Sequence, residues 1–464
     1  MMKQNIQAIA RACNGTIIKK GSVDTIGSVS TDTRTIQKGS LFVPLIGEKF
    51  DGHTFIEEAI KNGAQAVFVQ EGHNTKTIQA FNDVWLIEVK DTLKALQAIS
   101  VYYRKLFPIP FIGVTGSVGK TSTKDLISGV LSGKFNVHKN LGNFNNEIGL
   151  PLTLFNLEEN HQISVLEMGM SSFGEIRDLV DMVHPEIGVI TNIGVSHIEH
   201  LGSKEGILKA KMEIASNFKE GNYLLVNGDD EYLRCIHKDD KDYTVIFYGL
   251  SSTNDFYPMS VEDLGEEGSA FTVEINGEAV PFKIRQLGIH NVYNALAAVW
   301  IGLKYHMTFE EIQRGLDGFQ PSKMRLEVIT KGRMKIINDA YNASPDSMKA
   351  ALDVLDHMKS NRKIAVLGNM FEMGSFSEEG HRSVGAYFAK KNIDILVTVG
   401  EMANWIGLEA KKYGIEENSI RHVFNNKEAI EMLGQFVQEE DAILVKGSRG
   451  MAMEEIVNFL QERS

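Results

Sequence analysis

Phe111-Ile112-Gly113-Val114-Thr115-Gly116-Ser117-Val118-Gly119-Lys120-Thr121 is the stretch on which the reading of this chain turns. Its first five residues form an apolar run of strand length, and Thr121 to Leu131 carries helical periodicity. Strand, glycine loop and helix in that order, with Gly-Lys-Thr at the helix start, make the context of a phosphate loop. Glycines let the backbone curl so that several N–H groups face one anion. The helix N-terminus adds partial positive charge. Lys120 can neutralise terminal phosphates, and the Thr121 hydroxyl can ligate magnesium. The longer Walker pattern wants a glycine where Val114 stands, so the match is to the variant T-G-S-x-G-K-T.

Outward from this loop the chain alternates strands and helices. Strands are expected at 163–167, 187–191 and 223–226, which implies a parallel sheet covered by helices. Residues 243–285 read as short antiparallel hairpins, and Asn291 to Tyr305 as an apolar helix. After Asp317-Gly318-Phe319 the pattern restarts. Strands at 335–338, 363–367, 394–399 and 442–445 alternate with helices near 346–358, 378–390, 402–413 and 451–462, a doubly wound unit. Before the loop, Leu41 to Leu45, Ala66 to Gln70 and Trp85 to Val89 read as strands. Phe55 to Asn62 and Thr92 to Leu106 read as helices. The expected fold is α/β in three domains. Residues 1–100 form a small N-terminal α/β domain, 101–318 a central P-loop ATPase domain with a parallel sheet, and 319–464 a Rossmann-like domain.

Composition sets outer limits. The chain has 464 residues, 43% hydrophobic and 23% charged, with formal charge −12. That charge is uneven: the three parts carry +1, −11 and −2. No basic footprint for nucleic acid is present. Cys13 and Cys235 show no metal-ligand spacing, which fits a reducing compartment. Arg11 interrupts the N-terminal stretch before it reaches signal-peptide length. No run approaches the ~20 apolar residues that span a bilayer. A cytoplasmic monomer, without membrane insertion or a nucleic-acid partner, is expected.

Other candidates lie downstream. Glu167 ends the strand ISVLE, where a carboxylate beside the loop can hold magnesium. An ordinary strand-end acid is the equal alternative. His197 and His200, three apart, admit a zinc reading that nothing near them supports. His197 serving magnesium or substrate is the better reading. Lys211 lies on a helical pattern, where a lysine is normally a solvated charge.

These residues together resemble the Mur ligases, and among them the branch that adds D-alanyl-D-alanine. The resemblance rests on Ser30-Thr31-Asp32-Thr33-Arg34, Gly47-Glu48-Lys49-Phe50-Asp51-Gly52-His53, the TGSVGKT loop and Asn143-Phe144-Asn145-Asn146-Glu147-Ile148-Gly149-Leu150-Pro151. It continues through Glu167-Met168-Gly169, His197, Lys211, His290-Asn291, Arg325, Asp339-Ala340-Tyr341-Asn342-Ala343-Ser344-Pro345, Glu372-Met373-Gly374 and Val445-Lys446-Gly447. Where such chains often read LGDM, this one has Asn369.

The resemblance implies an ATP- and Mg2+-dependent ligase. It would join D-alanyl-D-alanine to UDP-N-acetylmuramoyl-tripeptide through an acyl phosphate. It implies that Thr115, Gly116, Ser117, Val118, Gly119, Lys120 and Thr121 hold phosphates, and that Asn291, Arg325 and Asp339 contact the nucleotide. Thr121 and Glu167 would hold one magnesium and His197 a second, with Lys211 as a carbamate ligand. Ser30, Asp32, Thr33, Arg34, Gly47, Asp51 and His53 would bind the UDP end, with turn chemistry as the alternative. Asn143, Asn145 and Asn146 would contact substrate, and for Asn342 and Lys446 substrate or nucleotide contact stands level with a loop-structural role. A hinge near 318–325 would close the last domain. The N-terminal motifs and the string from Asp339 to Ser347 argue against a folylpolyglutamate synthetase, a cyanophycin-type ligase or a Mur ligase adding a different amino acid. A GTPase would need a guanine-reading N-K-x-D, and Asn425-Asn426-Lys427-Glu428 is not one. A non-catalytic module would leave Lys120, Glu167, His197, Lys211 and Arg325 unexplained.

Overall fold

A computed structural model describes residues 3–319 and 322–463. Gln320 and Pro321, within the expected hinge, lie outside the described residues, as do Met1, Met2 and Ser464. The central sheet has six parallel strands. In spatial order they are Thr244–Tyr248, Tyr223–Asn227, Ile187–Ile190, Phe111–Thr115, Ile163–Glu167 and Val137–Lys139. The middle strands are buried on both faces, which is why they read as continuous apolar runs. From Phe111–Thr115 the chain builds one side of the sheet and then returns to build the other. The phosphate loop therefore sits where the strand order reverses, and a crevice opens there outside the carboxyl ends. Register brings the chemistry together: Glu167 lies opposite Val114 and Ile190 opposite Thr115.

One expectation is corrected. Thr244–Tyr248 is not part of a hairpin; it pairs in parallel with Tyr223–Asn227 as the sheet's edge. Val245 and Phe247 pack into one core and Ile246 and Tyr248 into the other, so both faces of this edge strand are covered, as its continuous apolar run V-I-F-Y allows. The antiparallel sheet starts later, with Pro258–Asp263, Ser269–Ile275 and Glu278–Ile284. It packs with the helices Lys120–Ser132 and His290–Lys304 over one face of the central sheet.

The N-terminal sheet orders Thr16–Lys19, Trp85–Val89, Ala64–Gln70, Ser40–Phe42 and Ser28–Ser30. The boundary drawn at 100 falls inside the helix Thr92–Arg104. That helix buries Ala95, Leu96, Ile99 and Tyr103 in a core shared by the N-terminal and central sheets. The last sheet orders Glu327–Lys331, Met334–Asp339, Asp441–Lys446, Arg362–Gly368, Ile395–Val399 and Ile420–Val423. Only its first pairing is antiparallel. Ser322 ties the start of this part to the phosphate-loop helix, donating to Asp125 Oδ2 at 2.6 Å. Asp125 is buried and also takes Lys139 Nζ at 2.9 Å. No helix among the described residues is long and apolar enough to cross a membrane.

Candidate active site

The loop after Phe111–Thr115 needs its glycines. Gly119 has φ +84°, a left-handed conformation that costs a residue with a Cβ. At Gly116 a Cβ would lie 1.9 Å from Thr191 Oγ1. The segment after Ile187–Ile190 braces the loop. Asn192 Oδ1 accepts from Val118 N at 2.9 Å, and Thr191 Oγ1 donates to the Val118 carbonyl at 2.6 Å. Ser117 Oγ accepts from Gly194 N at 2.8 Å. Lys120 Nζ is held inward by the Gly116 and Ser117 carbonyls, at 2.8 and 3.2 Å. Burial pushes the Lys120 pKa down, and Arg325 pushes the same way, while Glu167 and Glu372 oppose them. A cation placed in such a cradle is poised for a polyanion that restores its charge balance.

Beside the loop is a set of oxygen donors. Thr121 Oγ1 donates to Glu167 Oε2 at 2.8 Å, and Asn145 Nδ2 donates to Oε1 at 2.8 Å. Asn140 clamps the Glu167 backbone on both sides, accepting from its N–H and donating to its carbonyl at 3.0 Å. A hydroxyl and a buried carboxylate in hydrogen-bond contact suit a hard cation such as magnesium. Lys211 is the second feature that fits a metal. Its side chain is 2% exposed, which overturns the ordinary expectation of a solvated lysine. Among the described residues it has no hydrogen-bond or ion-pair partner. Burial, and then the charge of Lys120, drive its pKa well below the usual range. A buried ammonium without a partner is costly, so burial favours the neutral amine. A neutral amine is the form that can add carbon dioxide and become an anionic ligand.

A cavity of about 570 Å³ opens between the central and last domains. It brings together the loop residues 117–121, Asn291 and Asn294 from one side and Arg325, Asp339, Asn342 and Lys446 from the other. Asn291 sits in a network, accepting from Asn294 Nδ2 at 2.9 Å and donating to the Leu287 carbonyl at 2.8 Å. Asn294 in turn accepts from Thr123 at 2.8 Å. Arg325 stacks over the Tyr341 ring at 4.2 Å, between two residues of left-handed backbone, Met324 and Leu326. Lys446 is committed to internal bonds. Its Nζ reaches Asp339 Oδ2 at 2.5 Å and the Asn342 carbonyl at 3.0 Å, with 3% of the side chain exposed. The two are in-register neighbours on adjacent parallel strands. Lys446 is thus placed to hold Asp339, which itself accepts from Leu326 N at 3.2 Å.

His197 has left-handed backbone, φ +61°, just before the short helix Ile198–Leu201. Its Nδ1 lies 2.9 Å from Glu372 Oε2 of the last domain. The approach is off the line of a straight hydrogen bond, and Nδ1 has no better-aligned partner.

The N-terminal candidates are apart from this cavity and largely occupied with turns. Asp32 caps its own turn, accepting from Arg34 N at 2.9 Å, and pairs with the exposed Arg34 guanidinium at 2.6 Å. Thr33 donates to Glu58 at 3.0 Å, and Ser30 to the Asp32 carbonyl at 2.9 Å. Gly47 allows the Phe50 ring to pack at 2.7 Å from where a Cβ would be. Asn146 Oδ1 caps Gly149 N at 2.8 Å, while Asn143 is exposed. Asp51, His53 and His73 come close enough to suggest a metal. Protonation argues otherwise. His53 Nε2 accepts from Gln70 N at 3.0 Å, so the ring's proton is on Nδ1, donated to Asp51 at 2.6 Å. Neither nitrogen of His53 has a free lone pair. Burial lowers the His53 pKa, which favours this neutral form.

Several site residues carry no distinct sequence signal. Asn140 and Asn192 are loop asparagines whose partners are distant in sequence. Asn294 had a faint one, an asparagine three positions after Asn291 in an otherwise apolar helix. Asn369, the departure from LGDM, accepts from Ala403 N at 2.8 Å through Oδ1, a contact that an aspartate would make equally.

Comparison with known proteins identifies the family. Residues 25–104 match the Mur ligase family catalytic domain, 114–302 the Mur ligase middle domain and 324–449 the Mur ligase glutamate ligase domain. A UDP-N-acetylmuramoyl-tripeptide–D-alanyl-D-alanine ligase of Bacillus subtilis is 41% identical over 100% of this chain and 99% of its own. The crystal structure of MurF from Acinetobacter baumannii superposes with TM-score 0.90 at 29% identity, covering both chains fully. MurF ligase from Thermotoga maritima, solved in complex with ADP, gives 0.81 at 26% identity over 94% of this chain and 97% of that one. The chain belongs to the Mur ligase family.

Proposed function

We propose that the chain is an ATP-dependent ligase that joins D-alanyl-D-alanine to UDP-N-acetylmuramoyl-tripeptide, yielding the UDP-linked pentapeptide of peptidoglycan synthesis. The observation that carries the reading is the full-length likeness to ligases of that name, met by a cavity where Lys120 and Arg325 converge from two domains. A carboxylate does not condense with an amine at neutral pH. Transfer of the γ-phosphate to the tripeptide's terminal carboxylate makes an acyl phosphate, and phosphate then leaves as the dipeptide amine attacks.

Residues 115–121 cradle the β- and γ-phosphates, and Lys120 neutralises them. Arg325, held by Tyr341, offers charge from the opposite wall. Asp339, fixed by Lys446, and Asn291 serve the nucleoside end. Thr121 and Glu167 are the residues that would hold one Mg2+, and His197 with a carbamylated Lys211 a second. When bound, the cations offset the negative charge that gathers as phosphoryl and acyl groups meet. Asn145 orients the Glu167 carboxylate, and Asn143 and Asn146 line the approach of the peptide. Ser30 to Arg34 and Gly47 to His53 shape the surface for the UDP end, with His53 and Asp51 acting through the turn they hold. Asn342 borders the amine side. The reading takes a cytoplasmic monomer without a nucleic-acid partner, in keeping with the formal charge of −12.

The test is phosphate release from ATP with UDP-muramoyl tripeptide, with and without D-alanyl-D-alanine. Release should depend on the dipeptide and vanish in Lys120→Ala with the fold intact by circular dichroism. Release indifferent to the dipeptide would overturn the substrate, and a fully active Lys120→Ala would overturn the ATP site.

A further inference from the structure

We propose that Glu372 is a positioning residue for His197, and that this pair makes closure of the last domain a condition for assembling the metal site. The inference rests on the reading of His197 as a metal ligand. Glu372 is carried by the last domain, just after the strand Arg362–Gly368, while His197 belongs to the central domain. Their side chains meet at 2.9 Å across the interface. Each has left-handed backbone without being glycine, at φ +60° and +61°. Such conformations cost free energy and persist where surrounding packing demands them. The packing is visible: a Cβ at Gly374 would lie 3.1 Å from Glu199 Cγ, so the turn after Glu372 lies directly on the helix after His197.

The chemistry is that of a carboxylate–histidine–metal relay. A metal-binding imidazole needs a lone pair on one nitrogen and a partner for the N–H on the other. With Nδ1 already 2.9 Å from Glu372 Oε2, a modest turn of the ring directs Nδ1–H at the carboxylate and leaves the Nε2 lone pair for a cation. Nδ1 is buried without an aligned hydrogen bond, and the carboxylate in contact with it is that of Glu372. The carboxylate is also drawn by His200 and by Lys120 of the phosphate loop. Glu372 itself is 58% exposed, so the contact is weak as a stability element. Its value lies in orientation: removing the acid frees the ring to turn and removes one cross-domain tie.

The test uses the full chain and the variants Glu372→Gln and Glu372→Asp. The first readout is binding of Mn2+, followed by electron paramagnetic resonance in the presence of ADP. The second is the distance distribution between dye labels on the central and last domains. Second-sphere losses of this kind typically weaken metal binding or activity by about 10–100-fold. Glu372→Gln should therefore bind Mn2+ about tenfold more weakly and populate longer interdomain distances. kcat should fall while KM for ATP stays within about twofold, and Glu372→Asp should recover part of each loss. Unchanged Mn2+ affinity in Glu372→Gln would overturn the role of Glu372 in the metal site, and an unchanged distance distribution would overturn its role in closure. If the unaltered chain itself shows no dipeptide-dependent phosphate release, the function fails. If it does, and Glu372→Gln matches it in Mn2+ binding, only the role of Glu372 fails.

Discussion

Replacing Lys446 by methionine separates two accounts of one residue. As a substrate contact, Lys446 would be dispensable for folding and its loss would raise KM. In the structure its side chain is 3% exposed, and that of its partner Asp339 is 12% exposed. Lys446→Met would leave the Asp339 carboxylate buried, with the Leu326 N–H at 3.2 Å as its remaining donor. Breaking a buried ion pair by removing one member costs about 3–5 kcal/mol, because the other charge is left uncompensated. At roughly 2–4 °C per kcal/mol, the transition of the last domain should fall by about 6–20 °C. Differential scanning calorimetry reads this directly. The double variant Asp339→Asn with Lys446→Met, which leaves no orphan charge, should recover a large part of the loss. A shift below about 2 °C, together with a raised KM for the dipeptide, would refute the argument and restore Lys446 as a contact.

Other outcomes follow from the same geometry. Lys211→Ala should lose activity, and formate or acetate should restore part of it by supplying the missing carboxylate. Full activity without added acid would end the carbamate role. His138 is buried, with Nδ1 against Ser164 Oγ at 2.8 Å and Nε2 against the Thr153 carbonyl at 3.0 Å. Burial lowers its pKa to about 4 from the ordinary 6.5. The unfolded chain then binds the extra proton more readily than the folded one. The stability from this group is complete above pH 6.5 and lost as pH falls towards 4, by roughly 2–3 kcal/mol at pH 4.5. Urea unfolding of the chain and of His138→Gln at pH 7 and 4.5 should differ by that amount, and equal losses would refute it. Asn369→Asp keeps the acceptor for Ala403 N but buries a charge, so urea unfolding at pH 7 should show a loss of about 1–3 kcal/mol. No loss would refute the burial argument.

The phosphate loop and the alternation around it are legible from sequence because both are local. A strand, two glycines with special backbone needs and a helix start are set by near neighbours. Glu167 is legible for a related reason: a strand end in a parallel sheet must meet the loop crevice. Beyond that, local pattern fails in identifiable ways. Thr244–Tyr248 runs directly into the Gly-punctuated hairpin segment, and only its pairing with Tyr223–Asn227 assigns it to the parallel sheet. Lys211 reads by residue type as a surface lysine, although Ile207, Ile214 and Ala215, three or four positions away on the same face, are buried; what that face packs against is set by the tertiary structure. Lys446 is read as a ligand contact because its partner Asp339 lies on another strand, brought into register only by the sheet. Glu372 and His197 are both visible in sequence, yet their contact exists only across a domain interface. The chain's pattern alone thus specifies the chemistry on offer: a phosphate cradle, oxygen donors and a few cations in an acidic central domain. Which cations face solvent, which are neutralised by burial and which merely hold another residue in place is decided by tertiary packing. Charge state and availability depend on desolvation and on partners far away in sequence.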